Sequence, residues 1–553
     1  MDYKDINGIY DLAKEKNLKF LVVTGGVLSG LGKGVAAASL AQLLSKDIRK
    51  IPIKCDGYLN YDPGTMNPVE HGEVFVLDDG TEVDMDFGHY ERYLDISCNG
   101  TQNLTMGKIY KEIIDLERSG LFLGRTVKLI PEVTDYIQYK IIKTALDNNA
   151  DLVVLEIGGT IGDLENELYV TAAREIRWKL GKENLCLAHL AYIPEIAPSN
   201  EQKTKPAQNS IFELNKRGLW PDLIICRSKR PLDKKSIDKI CEACELLPKQ
   251  IISGHDVKNI YEIPINFKNQ DVDKLISRKL GIEVNKEFDK FIESVEKIEN
   301  DNSEKIKIGI CGKYTGIDDS YASVIEALHH AKTTVPESLE IKLIDTEKYE
   351  EGNVETSEEI KELDGIIVPG GFGARGINGK LNIIKYARVN NVPYLGLCYG
   401  MQLAVIEYAR NVCGILEANT TEIDKNCKDP IVTILPGQEN KKIGGSMRLG
   451  SCVAELSKDS RVAKMYDCDK ITERHRHRFE VNPKYHSILK EKGLGLCGFD
   501  PTGELLEFIE IKKHPFFIGT QAHPELKSKL LTPHPLFVEF VKAAKKRKEK
   551  EEK

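Results

Sequence analysis

The sequence predicts two α/β domains, each built around a mainly parallel sheet. The chain has 553 residues, whereas a single hydrophobic core stops growing at about 250–300 residues. Short apolar segments alternate with helical segments in both halves, which is the pattern of strands connected by crossover helices. Between the halves, residues 285–304 are mostly charged and polar, as in a linker or an exposed helix.

Buried strands are predicted where short apolar runs meet glycine or polar residues. In the first half these are Phe20–Thr24, Leu152–Ile157, Leu187–Ile193 and Leu223–Cys226, with a helix over Val35–Ser45. In the second half they are Lys307–Cys311, Ile341–Ile344, Gly365–Pro369 and Tyr394–Leu397. The predicted domains cover residues 18–284 and 305–545, with an N-terminal extension over 1–17 and a charged tail over 546–553.

The composition excludes several classes of protein. A hydrophobic content of 41% and a charged content of 29% are typical of a soluble globular protein, and no apolar run approaches the roughly 18 residues of a membrane helix. The net charge of −7 argues against a general nucleic-acid binder. Thirteen cysteines without regular spacing, and a polar start without a signal-peptide pattern, predict reduced thiols and a cytoplasmic location.

A glycine-rich loop follows the first predicted strand. TGGVLSGLGKG (Thr24–Gly34) lies between strand and helix, where backbone N–H groups and the helix dipole attract phosphate. Lys33 is placed to reach the β- and γ-phosphates, as in a Walker A loop. The loop departs from that motif because Gly34 replaces the Ser or Thr that ligates Mg²⁺. The alternative interpretation is a purely structural glycine turn.

The missing hydroxyl requires other oxygen ligands for a metal ion. Glu156 ends a buried strand and precedes two glycines, much like a Walker B carboxylate. Asp84 and Asp86 lie on one face if their segment is extended. Solvated surface carboxylates are the alternative. Further along, the loop Lys203–Gln208 (KTKPAQ) is basic and suits a triphosphate, although it also fits a solvated lysine pair.

The second half carries a cysteine with the features of a nucleophile. Cys398 stands between Gly396 and Gly400 in a strand–turn–helix segment, the thiol analogue of the nucleophile elbow. The N-terminus of the following helix favours the thiolate. A buried structural cysteine is the alternative.

A thiolate nucleophile needs a base and a group that orients the base. His523 and Glu525 lie two residues apart after another predicted strand, so Cys398, His523 and Glu525 form a candidate triad. The N–H groups of Gly371 and Tyr399 are placed to bind an oxyanion.

Ten motifs occur in one order along the chain. They are TGGVLSGLGKG, DPGTMNPVEHGEVFV, DMDFGHYER, EIGGTIGDLE, KTKPAQ, PGGFGARG, GLCYGMQ, GGSMRLG, ERHRHRFEVN and QAHPE. Together they closely resemble the CTP synthase family over roughly residues 18–545. The resemblance implies a P-loop-type amidoligase domain followed by a class I glutamine amidotransferase domain.

The resemblance also implies a reaction and its partners. UTP is phosphorylated by ATP at O4 and aminated there by ammonia, giving CTP, ADP and phosphate. The ammonia comes from L-glutamine and travels through an internal passage, with His71 near its entry. Mg²⁺ is the implied cofactor, CTP the feedback inhibitor, and GTP the allosteric activator, for which Arg375 is a candidate contact. Homotetramers that stack into filaments are the implied assembly, without nucleic-acid or membrane partners.

Site residues follow from the resemblance by position. ATP binding is assigned to Gly30, Leu31, Gly32, Lys33, Gly34, Val35, Lys54, Asp86, His255, Asp256 and Val257. UTP and CTP binding is assigned to Ser29, Asp163, Leu164, Glu165, Lys203, Thr204, Lys205, Pro206, Ala207, Gln208 and Lys239. Glutamine binding is assigned to Gly371, Tyr399, Gly400, Met401, Gln402, Glu422 and Arg478. Catalysis is assigned to Cys398, His523, Glu525 and Lys33, and Mg²⁺ binding to Asp86 and Glu156.

The chain departs from the family pattern at five positions. Tyr399 stands where Leu is usual, and Ala522 replaces an aromatic residue before His523. Gly30 replaces Ser, Ala207 replaces Thr, and His255 replaces Lys. These changes concern affinity, because none alters a residue that carries the chemistry.

Two other functions compete with this interpretation. Another ATP-driven amidotransferase, such as a cobyric-acid-type synthase, also pairs a phosphate loop with a Cys/His domain, but KTKPAQ and DMDFGHYER are not expected there. A filament-forming scaffold without activity is the second, and the presence of every predicted catalytic residue argues against it.

Overall fold

The computed structural model describes residues 5–66, 72–198, 200–299, 305–313, 318–371, 373, 375–435 and 447–551. The chain divides into two compact units. The first comprises Met1–Asp62 and His89–Val295, and the second Pro63–Gly88 and Glu296–Lys553. Pro63–Gly88 thus groups with the second unit, although it lies within the range 18–284 that the sequence gives to the first domain.

The first unit contains a seven-stranded sheet in which every neighbouring pair is parallel. Its strands are buried along most of their length, since helices pack on both faces. From one edge to the other they are Ile251–His255, Leu223–Ser228, Leu185–Tyr192, Lys19–Gly25, Leu152–Ile157, Lys50–Asp56 and Asn103–Thr105. A small antiparallel pair, Glu195–Ile196 with Glu201–Gln202, lies outside this sheet. The four strands predicted for this half are confirmed, with ends shifted by at most two residues.

Helices cover both faces of this sheet. The predicted helix after the glycine-rich loop spans Lys33–Gln42. The others that belong wholly to the first unit are Ile6–Glu15, Met106–Arg118, Thr134–Asp147, Glu167–Leu180, Lys205–Lys216, Lys234–Cys244, Glu262–Asn269 and Val272–Leu280.

The predicted linker at 285–304 contains the helix Phe288–Glu299. Phe288 and Phe291 are both 1% exposed, and the Phe291 ring lies 6.2 Å from Tyr93 and 6.4 Å from Tyr261, centroid to centroid. An exposed helix is therefore the wrong description of this segment. The few aromatic residues of a mostly charged stretch are enough to anchor it, because they lie on one helical face.

The second unit contains a nine-stranded mixed sheet. Five strands are parallel, in the order Leu339–Asp345, Ile306–Gly312, Gly365–Val368, Tyr394–Leu397 and Phe517–Thr520. Four antiparallel strands extend it, in the order Leu506–Glu510, Gly495–Phe499, Arg448–Leu456 and Lys470–His477. A separate three-stranded sheet contains Ala418–Thr420, Asp429–Ile434 and Phe479–Val481. The four strands predicted for this half are confirmed.

Two apolar clusters form the core of this unit, one on each side of the large sheet. The helix Tyr399–Asn411 is buried nearly all round, as its apolar sequence requires. The other helices are Ala322–Lys332, Glu358–Lys361, Ile377–Val389, Arg461–Tyr466, His486–Glu491 and Pro535–Glu551.

Within the second unit, Pro63–Gly88 contributes a hairpin of Phe75–Val76 and Glu82–Val83. Its turn packs so closely that a Cβ on Gly450 would meet the backbone nitrogen of Gly80 at 2.4 Å. Gly450 also has a φ of +84°, so only glycine fits there.

The segment with Asp84 and Asp86 is not extended as predicted. Asp86 begins the helix Asp86–Leu94, and an Asp84 carboxylate oxygen accepts the Asp86 N–H at 3.3 Å. Asp84 therefore caps a helix, because a side-chain oxygen there satisfies an N–H group that the helix leaves unpaired. No described helix is long and apolar enough to span a bilayer.

Candidate active sites

The glycine-rich loop lies at the carboxyl end of the central parallel strand of the first unit. Gly30 and Gly32 have φ values of +74° and +82°, which suit glycine, and the helix Lys33–Gln42 begins directly after them. The Lys33 side chain folds back towards the strand, and its Nζ donates to the carbonyl oxygen of Gly159 at 2.8 Å. A positive charge is thus held at the N-terminus of a helix, where phosphate binds.

Beneath this loop, His189 is buried between two hydroxyls, with Nδ1 2.9 Å from Thr24 Oγ1 and Nε2 2.7 Å from Ser210 Oγ. Burial and the charge of Lys33 lower the pKa of His189 to about 3. The neutral ring therefore supports the loop without adding charge. The sequence analysis did not find His189.

The carboxylate of Glu156 lies at the end of the neighbouring strand. Lys54 is paired with Glu156 in the sheet register, and its Nζ lies 3.4 Å from Glu156 Oε1 and 3.0 Å from Asp56 Oδ1. Tyr90 donates its hydroxyl to the other Glu156 oxygen. One lysine thus faces two buried carboxylates, which leaves a net charge of −1 on these three side chains.

These residues fit a divalent cation. Mg²⁺ uses one or two protein carboxylates together with substrate phosphates and waters, and the buried carboxylates of Asp56 and Glu156 are ligands of this kind. Among the described residues, no group of three His, Cys, Asp or Glu side chains has the arrangement of a complete protein metal site. The sequence analysis missed Asp56 and Tyr90. Asp56 ends a strand directly before Gly57, and Glu156 lies one residue before the end of its strand, which Gly158 follows.

The predicted UTP residues lie largely around one helix start. Pro206 occupies the first turn of the helix Lys205–Lys216, so KTKPAQ is mostly a helix N-terminus rather than a loop. Lys203 and Lys239 converge on Glu201, at 2.7 and 3.7 Å.

The other predicted nucleotide residues named below lie in the same unit, except for Asp86. His255 ends the edge strand Ile251–His255, and Asp256 accepts from Arg227 at 3.0 Å. Leu164 is 85% exposed, within the turn that begins at Asp163. Asp86 belongs by its contacts to the second unit.

In the second unit, Cys398 occupies a strained turn. Its φ is +49° and its ψ is −101°, between the strand Tyr394–Leu397 and the helix Tyr399–Asn411. A Cβ on Gly400 would meet the Val368 carbonyl oxygen at 2.0 Å, and one on Gly396 would meet the Gly400 carbonyl carbon at 2.9 Å. The flanking glycines therefore permit the close turn that presents the thiol.

His523 and Glu525 complete a triad with Cys398. The Nδ1 of His523 lies 2.6 Å from Glu525 Oε1, and Pro524–Leu526 forms a 3₁₀ turn, so the pair meets across a turn and not along an extended segment. Burial tends to lower the pKa of His523, but the Glu525 carboxylate and the Cys398 sulfur hold it well above its usual range. The imidazole is therefore protonated at neutral pH.

The glycine loop after the strand Gly365–Val368 closes over the triad. A Cβ on Gly370 would lie 2.8 Å from His523 Cε1, so this position must be glycine. Glu422 accepts the N–H of Gly373 at 2.8 Å, and burial raises the pKa of Glu422. Lys380 lies 5.4 Å from the centre of the Tyr399 ring, and burial lowers the pKa of Lys380 to about 8.

Gln402 lies behind the nucleophile. Its Nε2 donates to the Phe479 carbonyl oxygen at 2.8 Å and to Gln521 Oε1 at 3.1 Å, while Gln521 Nε2 lies 3.6 Å from the Cys398 sulfur. Gln402 thus positions a neighbour of the thiol. The sequence analysis missed Gln521, which lies two residues before His523 in the QAHPE motif.

The strand Lys470–His477 holds the triad from its other side. His523 N–H donates to the Arg474 carbonyl oxygen at 2.8 Å, and the Arg476 carbonyl oxygen lies 3.9 Å from the Cys398 sulfur. The Arg474 side chain pairs with Asp78, and that of Arg476 with Glu82, each at 2.8 Å. The ERHRHRFEVN motif thus connects the hairpin of Pro63–Gly88 to the triad.

A cavity of about 130 Å³ opens onto the triad. Hairpin-side residues, the glycine loop and the triad all line it, namely Glu73, Val74, Ser320, Tyr321, Val324, Pro369, Gly370, Gly371, Cys398, Arg476, His523, Glu525 and Leu526. His71, predicted near the ammonia entry, lies outside the described residues.

Known proteins match nearly the whole chain. A model of the CTP synthase N-terminus matches residues 19–282, and one of class-I glutamine amidotransferases matches residues 317–543. The CTP synthase of Borreliella burgdorferi is 49% identical over 536 residues, covering 96% of this chain and 99% of that protein. The chain belongs to the CTP synthase family.

A second CTP synthase also matches most of the chain. That of Methanocaldococcus jannaschii is 45% identical and covers 96% of this chain and 99% of its own length. Among solved structures, the glutaminase domain of Trypanosoma brucei CTPS with bound acivicin is 38% identical, covering 44% of this chain and 94% of that chain, with a TM-score of 0.42. As a CTP synthase, the chain is a glutamine-dependent ligase of pyrimidine biosynthesis that uses ATP to form CTP from UTP.

The pairing of Arg476 with Glu82 predicts a positioning effect in this CTP synthase. Arg476→Met removes the pair at the edge of the Cys398 cavity, so we expect kcat/KM for glutamine hydrolysis to fall about 10- to 100-fold, the effect of a small misplacement. Glu82→Gln should produce part of the same loss. Steady-state glutamate release measures it, with exposed Lys490→Met as the control. Unchanged hydrolysis in both variants would show that the hairpin does not position the triad.

Proposed function

We propose that Cys398, His523 and Glu525 hydrolyse glutamine in the second unit. The observation that carries this proposal is the 2.6 Å contact of His523 Nδ1 with Glu525 beside a cysteine held at positive φ. The Cys398 sulfur attacks the carboxamide carbon, and the N–H groups of Gly371 and Tyr399 bind the oxyanion. His523 then gives its proton to the departing ammonia, which leaves a thioester on Cys398. Water attacks the thioester and releases glutamate.

The glutamine molecule itself is assigned to the surroundings of the glycine loop. The Glu422 carboxylate supports this, because it lies against Gly373 and suits the α-ammonium group of the substrate. Arg478 follows the strand that holds the triad and suits the α-carboxylate. Gly400 and Met401 form the first turn of the helix that presents the thiol.

In the first unit, the loop Gly30–Val35 holds the ATP phosphates and Lys33 acts on the transferred group. UTP O4 attacks the γ-phosphorus of ATP and ADP leaves. Ammonia then attacks C4, the phosphorylated oxygen leaves as phosphate, and the nitrogen loses a proton. Lys54 and Glu156 lie beside the loop at the carboxyl ends of neighbouring strands, where ligands of α/β sheets bind. His255–Val257 accommodate the nucleoside end of ATP.

Mg²⁺ is the proposed cofactor, held by Glu156. When bound, it neutralises charge on the phosphates during transfer. The residues of the chain bind and orient the substrates, and the Lys54 ammonium group pairs with the carboxylates of Asp56 and Glu156.

The predicted uridine nucleotide residues form the proposed UTP site. Thr204, Ala207 and Gln208 surround a helix start, with Gln208 Nε2 3.2 Å from Thr204 Oγ1. This helix N-terminus and the nearby lysines suit a triphosphate. Inhibition by CTP, which shares that triphosphate, is assigned to the same residues together with Asp163, Leu164 and Glu165.

Regulation and assembly follow the family resemblance. Arg375 is proposed to contact GTP, and its side chain is 64% exposed. A homotetramer that can stack into filaments is the proposed assembly. A cytoplasmic location is proposed because the thirteen cysteines are all free thiols.

An absorbance assay of UTP conversion to CTP tests the proposed function. Glutamine, ATP, Mg²⁺ and GTP are supplied together, and each is then omitted in turn. We expect CTP only with ATP, Mg²⁺ and a nitrogen source, and faster synthesis with GTP. Other compounds supplied in place of UTP as acceptors of the amino group should give no aminated product. Amination of another acceptor in place of UTP would refute the assignment of the UTP site.

Lys33 is expected to act mainly in the transition state. Its ammonium group faces the phosphate loop, and stabilisation of charge during phosphoryl transfer contributes several kcal/mol in such sites. Lys33→Ala should therefore lower kcat about 1,000-fold while raising the Kd for ATP much less. Pre-steady-state ADP formation and equilibrium ATP binding measure the two effects, with Lys46→Ala as the control. Equal losses would make Lys33 a simple binding contact.

A further inference from the structure

A second, strongly basic cavity of about 860 Å³ lies in the second unit. It is formed by the C-terminal helix Pro535–Glu551, the helix Arg461–Tyr466 and the chain before the strand Phe517–Thr520. Seven lysine and arginine side chains line it against the single carboxylate of Glu539. This local charge of +6 stands out in a chain whose net charge is −7. The cavity is separate from the Cys398 cavity, with which it shares no lining residue.

Four of these lysines have no ion-pair partner within the described part of the chain, namely Lys464, Lys513, Lys546 and Lys550. Lys542, Lys546 and Lys550 recur every four residues on one face of the helix Pro535–Glu551. Like charges at this spacing destabilise a helix. Among the residues that the structure describes, Lys542 alone of these three has an ion-pair partner, Glu539, at 2.7 Å. A bound anion would offset this repulsion.

The opposite wall of the cavity is fixed in place by Arg461. Its guanidinium donates to the carbonyl oxygens of Pro515 and Lys512 at 2.6 and 2.8 Å, which holds the loop that carries Lys513. Its backbone N–H donates to Glu510 Oε2 at 2.9 Å. Cations from three separate elements therefore face one concave space.

We propose that this cavity binds a small anion that carries several phosphoryl groups. The volume lies within the range of about 300–1,000 Å³ typical of small-molecule sites, and a concave shape favours a compact ligand over a membrane or a nucleic-acid duplex. Lysine ammonium groups bind phosphate as point charges. The chemistry is shared by inorganic polyphosphate and by the phosphate tail of a nucleotide. Met465 and Phe516 also line the cavity and can contact an organic body.

Lysine footprinting of the full-length protein tests this site. The protein is acetylated with and without inorganic tripolyphosphate, and the modified lysines are quantified by mass spectrometry. We expect about ten-fold protection of Lys464, Lys513, Lys546 and Lys550, since several charge-assisted contacts form together. Exposed Lys425, Lys490 and Lys492 should be modified equally in both samples. Sodium chloride of the same ionic strength should protect none of these lysines.

A double variant checks that the protection arises in the cavity. Lys464→Gln/Lys546→Gln should raise the tripolyphosphate concentration for half-protection of Lys513 and Lys550 about ten-fold, whereas Lys425→Gln/Lys490→Gln should leave it unchanged. Thermal unfolding confirms that both variants fold. Absent protection, protection by sodium chloride, or an unchanged midpoint in the cavity variant would overturn the proposal.

A nucleoside tetraphosphate distinguishes the two sources of phosphate. Protection at lower concentration than with tripolyphosphate supports a nucleotide ligand that uses Met465 and Phe516. Equal or weaker protection supports inorganic polyphosphate at the same site.

Discussion

Cys398→Ala is expected to abolish glutamine-dependent CTP formation while keeping synthesis from added ammonium. In the proposed function the thiol is required only to release ammonia, and removal of a catalytic nucleophile lowers kcat by about 10⁴-fold or more. The first unit uses ammonia from any source, so synthesis from ammonium chloride at alkaline pH, where free NH₃ is abundant, should stay within about two-fold of the wild-type rate. Parallel assays with the two nitrogen donors measure the split.

The backbone at Cys398 makes alanine a suitable replacement. The residue has a φ of +49°, a conformation that strains every residue with a Cβ. Because cysteine and alanine both carry a Cβ, the variant keeps the same strain and should fold as the wild type does. His523→Ala should likewise lose glutamine-dependent synthesis and keep ammonium-dependent synthesis, because the His523 imidazole acts in the same half-reaction as Cys398. Glutamine hydrolysis by Cys398→Ala would show that another group is the nucleophile. Loss of ammonia-dependent synthesis as well would show that the two half-reactions are not separable.

Glu156→Gln is expected to abolish CTP synthesis from both glutamine and ammonia. The carboxylate is 1% exposed and faces Lys54 and Tyr90, so the amide preserves its size and removes its charge. Loss of a charge that supports phosphoryl transfer should lower kcat about 1,000-fold or more, a cost of at least about 4 kcal/mol. The rates of synthesis with each nitrogen donor, over a range of Mg²⁺ concentrations, measure the effect.

Glutamine hydrolysis by Glu156→Gln provides the internal control. Basal glutamate release without nucleotides should remain, because the triad lies in the other unit. Glu165→Gln is the matched control, because Glu165 is an exposed carboxylate assigned to CTP binding. This variant should keep normal CTP synthesis, while its inhibition by CTP should change. Normal ammonia-dependent turnover in Glu156→Gln would refute the role of Glu156 in metal binding and catalysis.

A buried cluster of charged and polar side chains lies in the same unit as the triad. Arg448 pairs with Glu480 at 3.2 Å and with Glu507 at 2.6 Å, and His475 Nδ1 lies 2.9 Å from His477 Nε2. Burial lowers the pKa of both histidines well below the usual range, so they are neutral. Side chains alternate between the two faces of the strand Lys470–His477. His475 and His477 therefore face this cluster, whereas Arg474 and Arg476 face the hairpin of Pro63–Gly88.

Local sequence determined the features whose chemistry lies in consecutive residues. The strand–glycine–helix segments around Lys33 and Cys398, the buried strands of both sheets, and the short His523-to-Glu525 spacing were all evident from residue type and spacing. Each depends on interactions within one segment, such as the glycine that permits a tight turn or the apolar run that fills a parallel sheet. For the same reason, ten ordered motifs were enough to indicate the family.

Only the tertiary structure decided which distant residues meet. Asp56 and Tyr90 join Glu156, and Gln521 joins Cys398, because neighbouring strands and helices bring them together across more than 60 positions of sequence. The assignment of Pro63–Gly88 to the second unit depends on charge pairs with a strand nearly 400 residues away. The basic cavity likewise lies between three segments that are far apart in the sequence, so no local sequence pattern predicts it. Periodicity and propensity describe single segments, whereas these sites are produced by packing between segments.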